Sequence, residues 1–267
     1  MSGVQSFLQL SEAQLYYGML LFLRVTGLFI LSPIFGRRNV PNMAKAGLAL
    51  LLSYIFLNAY PAPAAPVFTG NAAAYALLCV KELSIGLVMG YLTIVFFDVA
   101  NMAGSIMDVQ IGFGMAQIFD PETSNQVSLV STMLGYALLL LFLVADGHHT
   151  LIRILGFSFE KIPVGQALLP ADLALVVGQS VVMAFSMAVT VALPILAAEL
   201  VLEVVLGIFT RSVPQLNVFV VGISVKLVAG LLALALFIPV FAGYGDKIFE
   251  SLYTALTGAM ERMVAAP

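Results

Sequence analysis

The chain has 267 residues, of which 61% are hydrophobic and only 9% are charged, and its mean hydropathy is +1.07. A soluble domain carries roughly 25% charged residues because its surface faces water, so this composition excludes a soluble globule and indicates an integral membrane protein. Eleven basic residues against 14 acidic ones give a formal net charge of −3, and the lack of a basic run excludes a nucleic-acid partner.

Six apolar stretches follow one another along the chain, and each is a candidate to cross a bilayer, which takes ~20 helical residues. A connection at 146–170 separates the fourth from the fifth, and a tail of mixed charge follows the sixth. The pattern predicts an all-α polytopic membrane protein. The six stretches lie at about 14–35, 44–60, 71–107, 127–145, 171–206 and 215–243.

Basic residues give a weak signal of orientation. Arg37, Arg38 and Lys45 cluster between the first two apolar stretches, and loops rich in basic residues stay in the cytoplasm. Strict alternation then places residues 108–126 and the loop at Arg211 on the cytoplasmic side, with both termini outside.

Ionisable side chains within apolar stretches are costly unless they are paired or face water or protein. Lys81 and Glu82 are adjacent, and adjacent helix residues do not face each other, so we do not expect them to pair together. Each then needs a partner on another helix or another subunit. Alternatively, the helix begins at the membrane interface and both side chains reach water.

Two acidic residues, Glu199 and Glu203, lie four positions apart and share one helix face, where they repel each other modestly. A retained pair of this kind indicates a wet surface or a basic partner, and it also fits acid-base chemistry or a cation site. Because no third ligand lies nearby in the sequence, we favour an interface.

The two histidines, His148 and His149, are neighbours, and we do not expect them to converge on one metal ion. We interpret them as polar residues at a helix boundary. The sequence also contains no phosphate-binding glycine loop, no nucleophile with a base at motif spacing and no metalloprotease motif. We therefore predict no enzymatic activity, no cofactor and no metal.

Small residues also mark a packing face. Gly86 and Gly90 are spaced by four, which lets helix backbones approach closely in a membrane. This contact can lie within the chain or between subunits.

Residues 108–126, DVQIGFGMAQIFDPETSNQ, interrupt the apolar chain near its centre. Gly112 and Gly114 bracket Phe113, so backbone that can leave the helical conformation alternates with large apolar side chains. Non-helical backbone at membrane depth is tolerated only where protein buries it or where it lines an aqueous path. The stretch is therefore either a surface loop or a constriction inside a pore.

Five segments in a fixed order resemble the FliR family of the bacterial flagellar export gate, whose counterpart in virulence injectisomes is called SctT. They include KELSIGLVMG and GFGMAQIFDPET, and together they extend over nearly the whole chain. The five segments lie at 24–53, 81–90, 112–123, 140–152 together with 158–165, and 211–227.

The resemblance implies a structural and gating subunit of the flagellar type III protein-export channel. One such chain would join several FliP-like and FliQ-like subunits in a helical, conical assembly in the inner membrane at the flagellar basal body. FlhB-like and FlhA-like export proteins would be neighbours, and unfolded proteins would be the substrates. In such assemblies helical hairpins stack largely above the bilayer plane, so charged residues would face other subunits.

The resemblance also implies a division of the chain and a set of interface residues. Residues 1–170 would be FliP-like, and residues 171–267 would be a FliQ-like hairpin plus tail, with the hairpin's tip at 207–217 on the cytoplasmic side. The expected subunit contacts are Lys81, Glu82, Gly86, Gly90, Asp98, Glu199, Glu203, Arg211, Gln215, Asn217 and Lys226.

The central loop at 108–126 would act as a plug in the closed channel. Apolar side chains would seal it by excluding water, and the glycines would let it withdraw when a polypeptide arrives. The residues expected to form the plug are Gly112, Phe113, Gly114, Met115, Ile118 and Phe119.

A second hypothesis is a secondary transporter of a small solute. Pro194 and Pro239 lie within late apolar stretches and predict broken helices that can bind a substrate. Such folds usually show matching interruptions in two halves, and the first half of this sequence contains no counterpart.

Overall fold

The computed structural model describes residues 12–36, 40–60, 71–113, 128–166, 173–212 and 218–264. Every regular element in these ranges is an α-helix, which confirms the all-α prediction. The helices are α1 (Glu12–Leu31), α2 (Asn42–Ala59), α3 (Ala72–Ile111), α4 (Leu129–Val144), α5 (Gly147–Lys161), α6 (Leu173–Ser212) and α7 (Val218–Val264).

Among the described residues, five helices are long and apolar enough to cross a membrane, namely α1, α2, α3, α6 and α7. A sixth span is present if the bent pair α4 and α5 is counted as one. Helices suit this environment because each one satisfies its backbone hydrogen bonds internally. The chain is therefore a polytopic membrane protein, as its composition predicts.

Two segments predicted to lie outside the helices are helical. Within the 146–170 connection, Gly147–Lys161 forms α5, in which Leu151 and Leu155 are buried while His149 and Arg153 are exposed. Searching for uninterrupted apolar runs misses this helix because its apolar residues occupy one face only. The mixed-charge tail is likewise the end of α7, where Leu252 is buried.

The two prolines do not break the late helices. Pro194 lies inside α6, which runs for 40 residues, and Pro239 lies inside α7, which runs for 47. Membrane helices tolerate proline where neighbouring groups satisfy the freed carbonyl. The broken helices expected for a transporter are absent from the described parts of α6 and α7.

The described residues group into two compact units, neither of which is continuous in sequence. The first draws on residues 1–95, 146–180 and 252–267, and the second on residues 96–145 and 181–251. Because α3, α6 and α7 each contribute to both units, this grouping differs from a division at residue 170. That family-based division stays a prediction.

In the first unit, glycines bring α1 and α3 together. A Cβ atom placed on Gly27 would lie 2.9 Å from the Cα of Gly86, and one placed on Gly86 would collide with the carbonyl oxygen of Arg24. A Cβ on Gly90 would lie 2.9 Å from the carbonyl oxygen of Leu28. The predicted small-residue face of α3 therefore packs within the chain, which is one of the two contacts that the sequence left open, and a subunit contact of Gly86 and Gly90 stays a prediction.

In the second unit, an aromatic cluster forms part of the core. The ring of Phe142 lies 5.1 Å from that of Phe97 and 5.2 Å from that of Phe249, edge to face in both cases. All three side chains are buried. Edge-to-face geometry is favourable because the electron-poor rim of one ring meets the face of the next.

Candidate functional site

The base of the central loop lies where α3 ends. Residues 108–111, predicted as loop, form the last turn of α3, and Gly112 follows with a φ of +97°. L-residues with a side chain rarely adopt that angle, so glycine is needed to turn the chain out of the helix here. Phe113 is half-buried. The remaining plug residues, Gly114, Met115, Ile118 and Phe119, lie outside the described residues.

Asp108 ties together the two helices that flank the loop. Its carboxylate accepts hydrogen bonds from the backbone N–H groups of Val130 at 3.1 Å and Ser131 at 3.4 Å, and from the hydroxyl of Ser128. These groups form the N-terminus of α4, where a negative charge meets unpaired N–H donors and the positive end of the helix dipole. Asp108 is 5% exposed, so this anchor is shielded from water.

Gly104, one turn before Asp108, also brings α3 and α4 together. A Cβ atom there would collide with the backbone of Ser131. The start of α4 is therefore held against α3 by direct backbone contact as well as by the Asp108 carboxylate. Both described ends of the loop are therefore held in place within the second unit.

Gly230 in α7 packs against the end of α3. A Cβ atom on Gly230 would lie 2.6 Å from Cγ2 of Ile111 and 2.8 Å from Oε1 of Glu199. Ile111 is fully buried and directly precedes the turn at Gly112. Within the second unit, the base of the loop and the Glu199 carboxylate therefore meet at the same point on α7.

The two glutamates of α6 differ in their surroundings. Glu203 pairs with Lys226 of α7, and the side chains of Glu203 and Lys226 are 47% and 22% exposed. Glu199 is 1% exposed, and its Oε2 atom has no hydrogen-bond partner within the described residues. The expected basic partner is confirmed for Glu203, and it lies within the chain.

A buried ion pair organises the first unit. The Nε atom of Arg24 in α1 donates to Oε2 of Glu82 in α3 at 2.7 Å, and both side chains are 0% exposed. The other carboxylate oxygen of Glu82 accepts from the backbone N–H of Gly165 at 2.9 Å. Glu82 thus has a partner on another helix, which is one of the alternatives that the sequence left open, and its role as a subunit contact stays a prediction.

The remaining Arg24 donors cap the end of α5. Nη1 donates to the carbonyl oxygen of Ser158 at 3.0 Å, and both Nη atoms donate to that of Ile162 at 3.1 Å. The guanidinium also lies 4.6 Å from the ring centre of Phe159. A cation at a helix C-terminus meets unpaired carbonyls and the negative end of the dipole.

The only hint of this centre in the sequence is a single arginine inside an otherwise apolar first stretch. Its partners lie 58 and more than 130 residues away in the chain, so no local spacing indicates them. Sequence reasoning therefore missed Arg24 as a functional candidate while identifying Glu82.

A hydroxyl-to-carboxylate contact lies at the edge of the same unit. Tyr60, which follows α2, donates its hydroxyl to Oε1 of Glu160 at 3.2 Å. Desolvation by burial, followed by the Glu160 carboxylate, raises the pKa of Tyr60 above its usual value of 10.0. The neutral phenol is therefore the favoured form over an extended alkaline range.

The other predicted interface residues occupy varied positions. Lys81 is half-buried, and Arg211 is exposed. Asp98 is half-buried and accepts a hydrogen bond from the side-chain amide of Asn101 at 2.9 Å. Gln215 and Asn217 lie outside the described residues. Their contact with a second subunit stays a prediction.

The ligand atoms of the two histidines lie closer together than we expected for adjacent helix residues. The ligand atoms of Asp146, His148 and His149 all lie within 4.8 Å of one another, and Nδ1 of His149 is 3.1 Å from Oδ1 of Asp146. Two of these residues are exposed, and such groups commonly cluster without an ion. Their position at the start of α5 confirms the predicted helix boundary, and we assign no metal to them.

Comparison with known proteins identifies the family. Residues 15–252 match the family model described as bacterial export proteins, family 1. The flagellar biosynthetic protein FliR of Escherichia coli (strain K12) is 30% identical over 255 residues, which are 95% of each chain. FliR of Bacillus subtilis (strain 168) is 32% identical over 81% of this chain and 83% of its own. FliR of Aquifex aeolicus (strain VF5) is 29% identical over 91% and 93%. The chain belongs to the FliR family of bacterial export proteins.

Proposed function

We propose that this chain is a structural and gating subunit of the flagellar type III protein-export channel, assembled with FliP-like and FliQ-like subunits at one copy per complex. FlhB-like and FlhA-like proteins are its proposed neighbours, unfolded flagellar proteins its substrates, and the inner membrane at the basal body its location. The observation that carries the proposal is the family match over residues 15–252 in a chain built of apolar helices.

The surfaces of α6 and α7 support assembly with other subunits. Only 28% of the apolar window of α6 and 22% of that of α7 are buried within the chain. Membrane helices associate through close packing of such faces with other helices. The exposed apolar side chains on the two helices include Val182, Phe185, Val201, Val204, Ile208, Leu232 and Leu236.

The contacts at the base of the central loop support the proposed gating role. Asp108 fixes the start of α4 to the end of α3, and Gly112 adopts a backbone angle that directs the chain out of α3. A plug needs fixed ends and a deformable middle, because it has to return to one closed position after each opening. The apolar residues beyond Gly112 would then seal the channel by dewetting.

The test of the gate is ion leakage through the assembled complex. Replacing residues 110–119 with a short Gly-Ser linker removes the apolar seal, so conductance of the reconstituted complex should rise. Asp108→Asn should raise it less, since the loop remains while its anchor weakens. Asp246→Asn, at an exposed acid of α7 that is not among the expected subunit contacts, is the matched control. Unchanged conductance in the linker variant would remove the plug assignment.

The test of the assembly uses the Glu203 and Lys226 pair. Exchanging the two residues, Glu203→Lys with Lys226→Glu, keeps the pair within the chain but reverses the charge pattern on its half-exposed surface. If a FliQ-like or FliP-like subunit contacts this surface, the yield of co-purified complex should fall while the isolated chain remains folded. Charge reversal at Glu199 and Glu203 together should lower the yield further.

A normal yield from the exchanged variant would place the subunit contact elsewhere. Co-purification from native membranes followed by mass measurement tests the assembly as a whole, and a chain recovered as a monomer would contradict it. The alternative of a secondary transporter loses its main support, because α6 and α7 continue through Pro194 and Pro239.

A further inference from the structure

A groove between α1 and α2 in the first unit contains two cavities that meet at Phe22. One has a volume of about 420 Å³ and is lined mainly by apolar side chains such as Met19, Leu50 and Leu57. The other has a volume of about 300 Å³ and extends to Lys45. The groove is thus apolar along its length and carries an ammonium group at one end.

Lys45 has no acidic partner within the described residues. Its Nζ atom donates to the carbonyl oxygen of Gly36 at 3.2 Å, which leaves further N–H donors for another acceptor. The sequence contains no acidic residue between Glu12 and Glu82, so nothing in that stretch neutralises this end of the groove. An anionic group is the charge-complementary occupant.

We propose that this groove binds an anionic phospholipid, with one acyl chain along α1 and the phosphate at Lys45. Both α1 and α2 are candidate membrane spans. Only 44% of the apolar window of α1 and 17% of that of α2 are buried within the chain, so membrane lipid can reach the groove. From Leu15 to Ile30 the groove follows α1 for roughly 22 Å at 1.5 Å per residue, a length comparable with an extended acyl chain. A basic side chain at the end of an apolar span is the usual contact for an anionic headgroup.

This site is independent of the proposed export function. A FliR-like subunit can fill its role in a channel whether or not it holds a lipid at α1 and α2. A helix of a partner subunit is the competing occupant, and the experiment distinguishes the two.

The chain contains no tryptophan, so a single introduced tryptophan reports on one site. Tyr54→Trp places the fluorophore in the wall of the larger cavity, and Leu236→Trp places it on an exposed part of α7 as the control. The probe is phosphatidylglycerol with brominated acyl chains, which quench tryptophan on contact, titrated into protein in non-ionic detergent. Brominated phosphatidylcholine is the headgroup control.

We expect saturable quenching of the Tyr54→Trp protein at several-fold lower phosphatidylglycerol than phosphatidylcholine. Lys45→Glu should abolish that preference, whereas Lys247→Glu, an exposed lysine on α7, should leave it unchanged. Blocking the smaller cavity with Ala46→Phe should also weaken quenching several-fold, and Ala44→Phe, which lies on α2 outside the cavity lining, should not. This second pair keeps the test informative if Lys45→Glu fails to fold.

Several outcomes would overturn the proposal. Equal, unsaturable quenching at both tryptophan positions would mean that the lipid contacts the whole surface. Loss of quenching on addition of inorganic phosphate would identify a site for a free anion. Quenching that disappears only when partner subunits are co-purified would assign the groove to a partner helix.

Discussion

Two ionic clusters within the described residues, Arg24 with Glu82 and Glu203 with Lys226, differ in how completely their hydrogen-bonding groups are paired. Arg24 and Glu82 are fully buried, and their hydrogen bonds go to each other and to backbone groups at the end of α5 and after it. Glu203 and Lys226 are partly exposed, and nearby Glu199 is buried with one carboxylate oxygen unpaired within the described residues. In the first cluster both carboxylate oxygens of Glu82 accept hydrogen bonds. Beside the second, an oxygen of Glu199 has no hydrogen-bond donor within the described residues.

This difference separates a structural role from a role in recognition. A buried charge is tolerated when its attraction and hydrogen bonds repay the loss of water, and removing one partner then leaves the other uncompensated. A partly exposed pair contributes little to stability, and its charges remain accessible to a binding partner. We therefore expect substitutions in the first cluster to affect folding and those in the second to affect assembly.

The largest effect is expected for Glu82→Gln compared with Glu199→Gln. The amide at residue 82 leaves the Arg24 guanidinium buried without its counter-charge, which should lower the free energy of unfolding by about 3–5 kcal/mol. The amide at residue 199 relieves repulsion from Glu203, so its effect should be at most about 1 kcal/mol. Denaturant unfolding of the purified chain in detergent measures both. Equal losses would show that Glu199 is as fully paired as Glu82.

Glycine substitutions sharpen the same comparison. In Gly86→Ala the new methyl group meets the carbonyl of Arg24, and backbone cannot move aside, so a loss of about 1–3 kcal/mol is expected. In Gly230→Ala the methyl group meets only side-chain atoms, the Cγ atoms of Ile111 and Oε1 of Glu199, and no backbone, so the loss should be smaller.

Gly207→Ala is the control for both glycine variants, because nothing lies within 4 Å of a Cβ atom there. Alanine has the higher helix propensity, so this variant should be stabilised by up to about 1 kcal/mol. Thermal unfolding of the three proteins under identical conditions gives the order. A Gly230→Ala loss as large as that of Gly86→Ala would mean that the second cluster is packed as rigidly as the first.

A smaller effect is expected for Glu203→Gln in the isolated chain. Exposed and half-exposed ion pairs contribute about 0.2–1 kcal/mol, and salt screens them. Stability should therefore fall slightly at low salt and remain unchanged at high salt. Unfolding midpoints at two ionic strengths test this, with Glu261→Gln, at an exposed acid on α7, as the control. A large loss at high salt would contradict the recognition role.

The smallest effect concerns pH and Tyr60 at the edge of the first unit. Because the folded-state pKa of Tyr60 is raised, its contribution to stability is complete below pH 10 and is lost as the pH rises through the raised value. Tyr60→Phe should remove this alkaline dependence at little cost near neutral pH. Unfolding midpoints measured from pH 8 to pH 11 provide the test. An unchanged alkaline slope in the variant would assign the dependence to another group.

Much of the fold follows from the sequence because the membrane imposes a simple rule. Long apolar runs have to be helical, so the sequence predicts the bounds of α1, α2, α3 and α4 to within four residues, while α6 extends six residues beyond its predicted end. The rule fails for α5 and for the end of α7, where helices are amphipathic and polar residues interrupt the apolar run. In α7, Ile248, Leu252 and Leu256 recur every four residues and are buried, a period that only a helix-face analysis detects.

The sequence by itself determined the class of protein, most of the helical segments, the family and the set of ionisable residues that are costly to place within apolar stretches. It also singled out Glu82 as a residue that needs a partner on another helix or subunit unless it reaches water. Only the tertiary structure decided that this partner is Arg24, that Asp108 caps α4, and that Gly86 packs against α1. Periodicity reports which side of a helix is apolar, but the rotation and depth at which two helices meet depend on packing between residues far apart in the chain.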